Sequence, residues 1–154
     1  MNPTIQRIDK LTDQRYPLVY FDTLRSAHVT DMFKSLSLAT SKAIYHWTPD
    51  TGLYRMDARH IMIPRTQNPR HLLELIHSTP HFGVYLLSNF KEALKEQRNI
   101  ELLKKIIAGY TDKPKMIVMT GNEMDIPAEL RPFVAHIRPT MRADTHTDTS
   151  RKAG

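Results

Sequence analysis

The residues best placed to do chemistry stand where apolar runs give way to polar ones. After Leu18-Val19-Tyr20-Phe21 come Asp22, Thr23, Leu24, Arg25, Ser26 and Ala27. At the end of a strand that opens into a helix, such a stretch is where a phosphate cradle would form. A cradle needs glycines so that backbone N–H groups converge, plus a lysine and a hydroxyl for phosphate and magnesium. None of the five glycines falls here, and no Gly-Lys-Ser/Thr occurs in the chain. Arg25 is left as the candidate to assist a phosphate at the helix N-terminus. After a second run, Gly83 to Leu87, stand Ser88 and Asn89. A nucleotide hydrolase usually carries an acidic, magnesium-handling residue there. Asn89 cannot supply that charge, and its other use is to cap the helix that follows.

Other constellations are sparse. Asp13, Asp22, Asp31, Asp50 and Asp57 offer carboxylates, with no pair at a spacing that signals acid–base work. His77 and His81 are four apart, a ligand spacing only on a helix, and Ser78-Thr79-Pro80 interrupts any helix between them. With His71 they form no convincing metal set. No serine lies in a Gly-x-Ser-x-Gly nucleophile elbow. Trp47, Tyr45, Tyr54 and Phe82 beside basic residues suggest either a base-stacking platform or ordinary packing in the core and at the sheet edge. No cofactor or metal is expected from these residues.

At 154 residues, with 40% hydrophobic and 25% charged residues, the chain has the size and composition of a single globular domain. It has no cysteine, which excludes disulfides, thiolate metal sites and a cysteine nucleophile. The first fifteen residues are charged throughout and lack a signal-peptide core. No apolar stretch approaches the ~18 residues needed to cross a bilayer. A cytoplasmic protein without a membrane segment is the expectation. The net charge of +6 favours acidic partners, nucleic acid included. Basic residues concentrate towards the C-terminus, at Arg131, Arg138, Arg142, Arg151 and Lys152.

The elements that must position these residues follow from periodicity. Ile5, Ile8 and Leu11 predict a short amphipathic helix ended by Tyr16-Pro17. Leu18 to Phe21 read as a strand apolar on both faces, as central parallel strands are. Val29, Met32, Phe33, Leu36 and Ala39 give a helix over Ser26 to Ala39. A strand at Ala43 to Trp47 meets a turn at Thr48 to Gly52, and His60 to Ile63 is a candidate extra strand. Asn68-Pro69 starts a helix. Gly83 to Leu87, Met116 to Met119 and Val134 to Ile137 are the remaining strands. Between them lie helices at Asn89 to Arg98 and Asn99 to Tyr110, the second capped by Asn99, and a helical turn near Ala128 to Phe133.

Alternating strands and helices predict an α/β three-layer sandwich: a mainly parallel five-stranded sheet with helices on both faces, the frame of a P-loop-hydrolase-like core. One domain spans residues 1–139. Residues 140–154 lack apolar surface and are expected to form a disordered basic tail.

With these pieces in order, the chain resembles the N-terminal region of AAA-type ATPases typified by an open reading frame of chloroplasts and cyanobacteria. The residues that carry the likeness begin with Tyr16-Pro17-Leu18-Val19-Tyr20, Trp47-Thr48-x-x-x-Gly52-Leu53 and Leu86-x-x-Asn89-Phe90. They continue with Met116-Ile117-Val118-Met119-Thr120 and Ile126-Pro127-Ala128-Glu129-Leu130. The likeness runs from about Leu11 to Pro139. It implies a degenerate nucleotide-hydrolase core without its own P-loop, of the kind that precedes a catalytic AAA module. Where the family often has Asp-Phe, this chain has Asn89-Phe90. By analogy with the AAA segment that carries a polar sensor and an arginine finger, Asn122 would be sensor-like and Arg131 finger-like. The usual second arginine of that segment is missing, which favours a surface or capping role for Arg131.

Two readings compete. One is a non-catalytic interaction domain, docking onto a P-loop AAA ATPase or onto itself, with Arg131, Trp47 and Arg138 as contact candidates. The other is a nucleotide or nucleic-acid binding module using the basic surface and tail.

Overall fold

The computed structural model describes residues 3–14 and 16–138. Within them, seven strands form one sheet in the order β4-β3-β2-β5-β6-β1-β7. β1 (Leu18–Asp22), β2 (Ile44–Thr48), β5 (Val84–Ser88), β6 (Met116–Gly121) and β7 (Val134–Ile137) are the five strands expected from sequence, and they run parallel. β3 (Gly52–Arg55) and β4 (Ala58–Ile63) extend the sheet as antiparallel strands beyond β2. The expected five-stranded sheet is therefore corrected to a seven-stranded, mixed one. The candidate strand at His60 to Ile63 is the outer part of β4.

The parallel strands are buried on both faces because their runs are apolar without alternation. Successive side chains of a strand point to opposite faces, and the core divides accordingly. Leu18 and Tyr20 of β1, Leu87 of β5 and Ile117 and Met119 of β6 pack with Leu72, Leu73 and Ile76 of α3 (Pro69–Ser78) and Leu103 and Ile106 of α4 (Gln97–Ala108). Val19 and Phe21, Val84 and Leu86, and Met116 and Val118 pack instead with Ile5 and Ile8 of α1 (Pro3–Gln14) and Val29, Phe33 and Leu36 of α2 (Ser26–Ala39). Burying each such side chain contributes roughly 1.5–3 kcal/mol.

The β2–β3 hairpin is held by one threonine. The Thr66 hydroxyl accepts from Leu53 N (2.7 Å) and donates to the Ile63 carbonyl (2.7 Å). The Thr66 carbonyl accepts from the Trp47 indole at 2.6 Å. Gly52 sits at φ +71°, and a Cβ there would stand 2.7 Å from the Thr66 hydroxyl, so glycine is required twice over. Asn68 caps α3 as its sequence predicts, accepting from Arg70 N at 2.8 Å with Pro69 in the first turn.

The region after β5 departs from expectation. In place of a helix from Asn89 to Arg98 there is a 3-10 helix at Glu92–Lys95. Asn89 takes φ +57° and turns the chain so that Phe90 is fully buried against Trp47. It caps nothing: Lys91 stands at the N-cap, without a side-chain hydrogen bond. Asn99 does not cap either. It lies inside α4, 2% exposed, and donates to the Ala93 carbonyl at 3.0 Å, tying the 3-10 helix to α4. The expected tail from residue 140 lies outside the described residues. No helix among the described residues is long and apolar enough to cross a membrane.

Candidate functional site

Because β2, β5, β6, β1 and β7 are parallel and in register, their carboxyl ends share one edge of the sheet. Ligands of open α/β sheets bind along such an edge. Two polar assemblies occupy it here.

The first is built on Asp22, the last residue of β1. Its Oδ1 accepts from the Glu123 backbone N–H at 3.0 Å and from the Tyr20 hydroxyl at 3.2 Å. Its Oδ2 accepts from His136 Nε2 at 3.1 Å and Arg138 Nε at 3.2 Å. Tyr20 in turn accepts from Met124 N at 2.8 Å, and its ring lies 4.9 Å from that of His136. The loop after β6 can fold back this tightly because Gly121 has no side chain: a Cβ there would meet Met124 Sδ at 2.6 Å. The Glu123 N–H, with His136, Tyr20 and Arg138 behind it, holds the Asp22 carboxyl below its ordinary value of 3.8. Burial, opposed by the Met124 N–H and reinforced by Asp22, pushes the Tyr20 phenol up. Two successive backbone N–H groups, of Glu123 and Met124, are the sort of pair that binds an anion. Here the chain's own Asp22 and Tyr20 oxygens take them.

The second assembly centres on His46 of β2, which is 7% exposed. Its Nδ1 lies 2.6 Å from the Tyr54 hydroxyl on β3 and its Nε2 lies 2.8 Å from the Ser88 hydroxyl at the end of β5. Thr120, directly across from Ser88 on β6, is 4% exposed, and its hydroxyl has no hydrogen-bond partner among the described residues.

The sequence candidates scatter over this frame. Arg25, Asn89, Asn122 and Arg138 all stand at strand ends on the shared edge and are exposed. Of these, Arg138 joins the Asp22 assembly, while Arg25 is the N-cap residue of α2, with its backbone N–H donating to the Thr23 hydroxyl at 2.9 Å. Trp47 is 1% exposed and packs edge-on against Phe90, so the base-stacking and contact roles are corrected to a core role. Burying the largest side chain of the chain leaves no face for a base. Arg131 donates to the Ile126 carbonyl at 2.8 Å and lies 3.6 Å from Asp125. It precedes β7 whereas Arg138 follows it, so the two arginines stand at opposite ends of that strand. His71, His77 and His81 belong to no cluster. Among the described residues no group of three or more His, Asp or Glu side chains is placed to hold a metal ion.

Sequence reasoning named Asp22 but not its partners, and passed over His46 and Ser88 as a pair. Apart from Tyr20, two residues away, the Asp22 donors lie 101 to 116 residues along the chain, from Glu123 to Arg138. Only the correct strand order, with β1 between β6 and β7, brings them together.

Compared with known families, residues 4–138 match the model described as "SpoVK-like AAA ATPase, N-terminal domain". A curated relative, described as "Uncharacterized AAA domain-containing protein ycf46" from Trieres chinensis, is 27% identical over 129 residues. The match takes in 80% of this chain and 25% of the relative, so the chain spans about a quarter of that protein's length. No solved structure matches the chain.

Proposed function

The chain belongs to the SpoVK-like AAA ATPase N-terminal domain family, and from that membership we propose that it is a non-catalytic accessory domain that docks onto a P-loop ATPase module or onto a second copy of itself. In this reading the fold is a degenerate three-layer P-loop-hydrolase core retained as a scaffold, working in the cytoplasm. The observation that carries it is the Asp22 assembly. The corner between β1 and β6 is filled by an internal carboxylate bonded to Glu123 N, Tyr20, His136 and Arg138. A bound phosphate would have to displace a like charge from its donors. The loop from Thr23 to Arg25 offers no glycine for a cradle.

Docking would use the exposed strand-end edge, where Leu24 is 83% exposed beside Arg25, and Arg138 is 77% exposed. Arg131, 63% exposed at the other end of β7, is a contact candidate for a separate surface. Size-exclusion chromatography of the purified chain, alone and mixed with a P-loop AAA module of the same family, tests the proposal. A complex or a concentration-dependent dimer is expected, weakened by Leu24→Asp. Monomeric elution under both conditions up to high micromolar concentration contradicts it.

A second reading, a nucleic-acid binding module, draws on the net charge of +6 and on Arg25 and Arg138 sharing one edge. Such binding would weaken steeply with added salt. Fluorescence anisotropy with single-stranded DNA at low salt discriminates: no change in anisotropy discards this reading.

A further inference from the structure

The helix α2 buries Val29, Met32, Phe33, Leu36 and Ser37. At 3.6 residues per turn, Ala27, Asp31, Lys34 and Leu38 fall within about 60° of arc on the opposite side. Ala27, Asp31 and Leu38 are exposed and Lys34 is half-buried. Leu38, at 66% exposure, is one of the large apolar side chains that the fold leaves open to solvent. Leu24, at 83%, is another, and stands just ahead of the same helix on the strand-end edge. A single exposed leucine is ordinary. A leucine that closes a row complementary to itself is not.

The row reads small, acidic, basic, large, at spacings of four, three and four residues. Turned end over end, it meets itself as large against small and basic against acidic. Neither Asp31 nor Lys34 has an ion pair among the described residues, so both charges are available to a partner. An unrelated partner would need only a complement to this face, and would impose no symmetry on the row. A two-fold contact between copies requires that symmetry, because the same patch serves both sides.

We infer, on the self-docking half of the proposed function, that α2 packs antiparallel against α2 of a second copy, about a two-fold axis level with residues 32 and 33. Asp31 of each copy then faces Lys34 of the other, and Leu38 of each faces Ala27 of the other. The alanine lets the helix axes approach to roughly 8–10 Å, and the leucine fills the space beside it. Antiparallel helices also set positive end against negative end. The exposed Arg25 comes opposite Thr40, the C-cap residue of the second copy's helix. A parallel two-fold pairing would instead set Asp31 against Asp31 and Lys34 against Lys34. The contact is one helix of 14 residues, about 21 Å long, so the dimer is a weak, concentration-dependent one.

Sedimentation velocity over a concentration series tests the pairing, with circular dichroism to check that each variant folds. The native chain should show a monomer–dimer equilibrium. Asp31→Lys sets like charges together at two symmetric points and should weaken the dimer roughly tenfold. Lys34→Asp should do the same. Combining the two substitutions rebuilds both pairs with their signs exchanged, and should return the affinity to within about threefold of the native value. Leu38→Glu should also weaken the dimer. A native chain that stays monomeric overturns the inference and leaves docking onto a P-loop module standing. A dimer indifferent to Leu38→Glu, or a double variant no tighter than the single ones, overturns it and moves self-association to another face. Binding of the family's P-loop module that Leu38→Glu abolishes, with no dimer of the native chain, gives the face to that module instead.

Discussion

At the β1–β6–β7 end of the sheet, a carboxylate gathers donors from three strands or the loops beside them. At the β2–β5 end, an imidazole lies between two hydroxyls, Tyr54 and Ser88. The first assembly is charged and partly open to solvent, since His136 is 48% exposed and Arg138 77%. The second is built into the β2–β3 hairpin that Thr66 and Trp47 fasten down, with His46 only 7% exposed. The difference shows two ways of satisfying polar strand ends without a ligand. The Asp22 corner meets the Glu123 and Met124 N–H groups with the chain's own Asp22 and Tyr20 oxygens. The His46 corner sets an imidazole between two hydroxyls and depends on the surrounding core.

The hairpin end should therefore be the costlier to disturb. Trp47→Ala should lose about 3–5 kcal/mol, the usual cost of emptying an aromatic core position, measured by urea denaturation. A loss below about 1 kcal/mol would break the comparison by showing the hairpin to be loosely attached. Asp22→Ala comes next, at about 2 kcal/mol, because it leaves the Glu123 N–H without its acceptor and His136 and Arg138 without a partner.

The charged corner should also respond to pH. The Asp22 carboxyl titrates lower in the folded protein than its ordinary 3.8. The unfolded chain therefore takes up the proton first as pH falls. The stabilisation is complete above that ordinary value and is lost as pH drops through the lower, folded one. Urea midpoints for the native chain should fall on acidification below about pH 4, and more steeply than those of Asp22→Asn. Identical slopes would show that the carboxylate is not what holds this corner.

The smallest effect is expected at Tyr54. Tyr54→Phe removes one hydroxyl from His46 and should cost about 1 kcal/mol. That cost should be the same at low and high salt, whereas the cost of Asp22→Ala should shrink as salt screens its exposed partners. A salt-dependent Tyr54→Phe would erase the distinction between the two ends.

The parts of this fold that sequence reveals are those written in local patterns. The Ile5-Ile8-Leu11 stripe, the Asn68-Pro69 helix start and the doubly apolar strands each carry their signal within a few residues. β3 and the first part of β4 escaped because the reversal between them, at Met56 and Asp57, has no glycine, proline or asparagine to mark it. Asn89 misled for a different reason. Its residue type suits a helix cap, but also the left-handed backbone that it adopts at φ +57°. The need to bury Phe90 goes with the second. The chemistry of the site was the least legible. Gly121, Asp22 and His136 mean nothing at their own positions, and acquire a role once β1 is inserted between β6 and β7. The absent cradle, by contrast, could be read directly, because a phosphate loop is a local motif.

Phosphate release from ATP by the purified chain, with magnesium, is the most direct test of the proposed non-catalytic role. The account predicts no release above the buffer rate, for the native chain and for Arg25→Ala and Asn89→Ala alike. Release by the native chain that either substitution abolishes would contradict it.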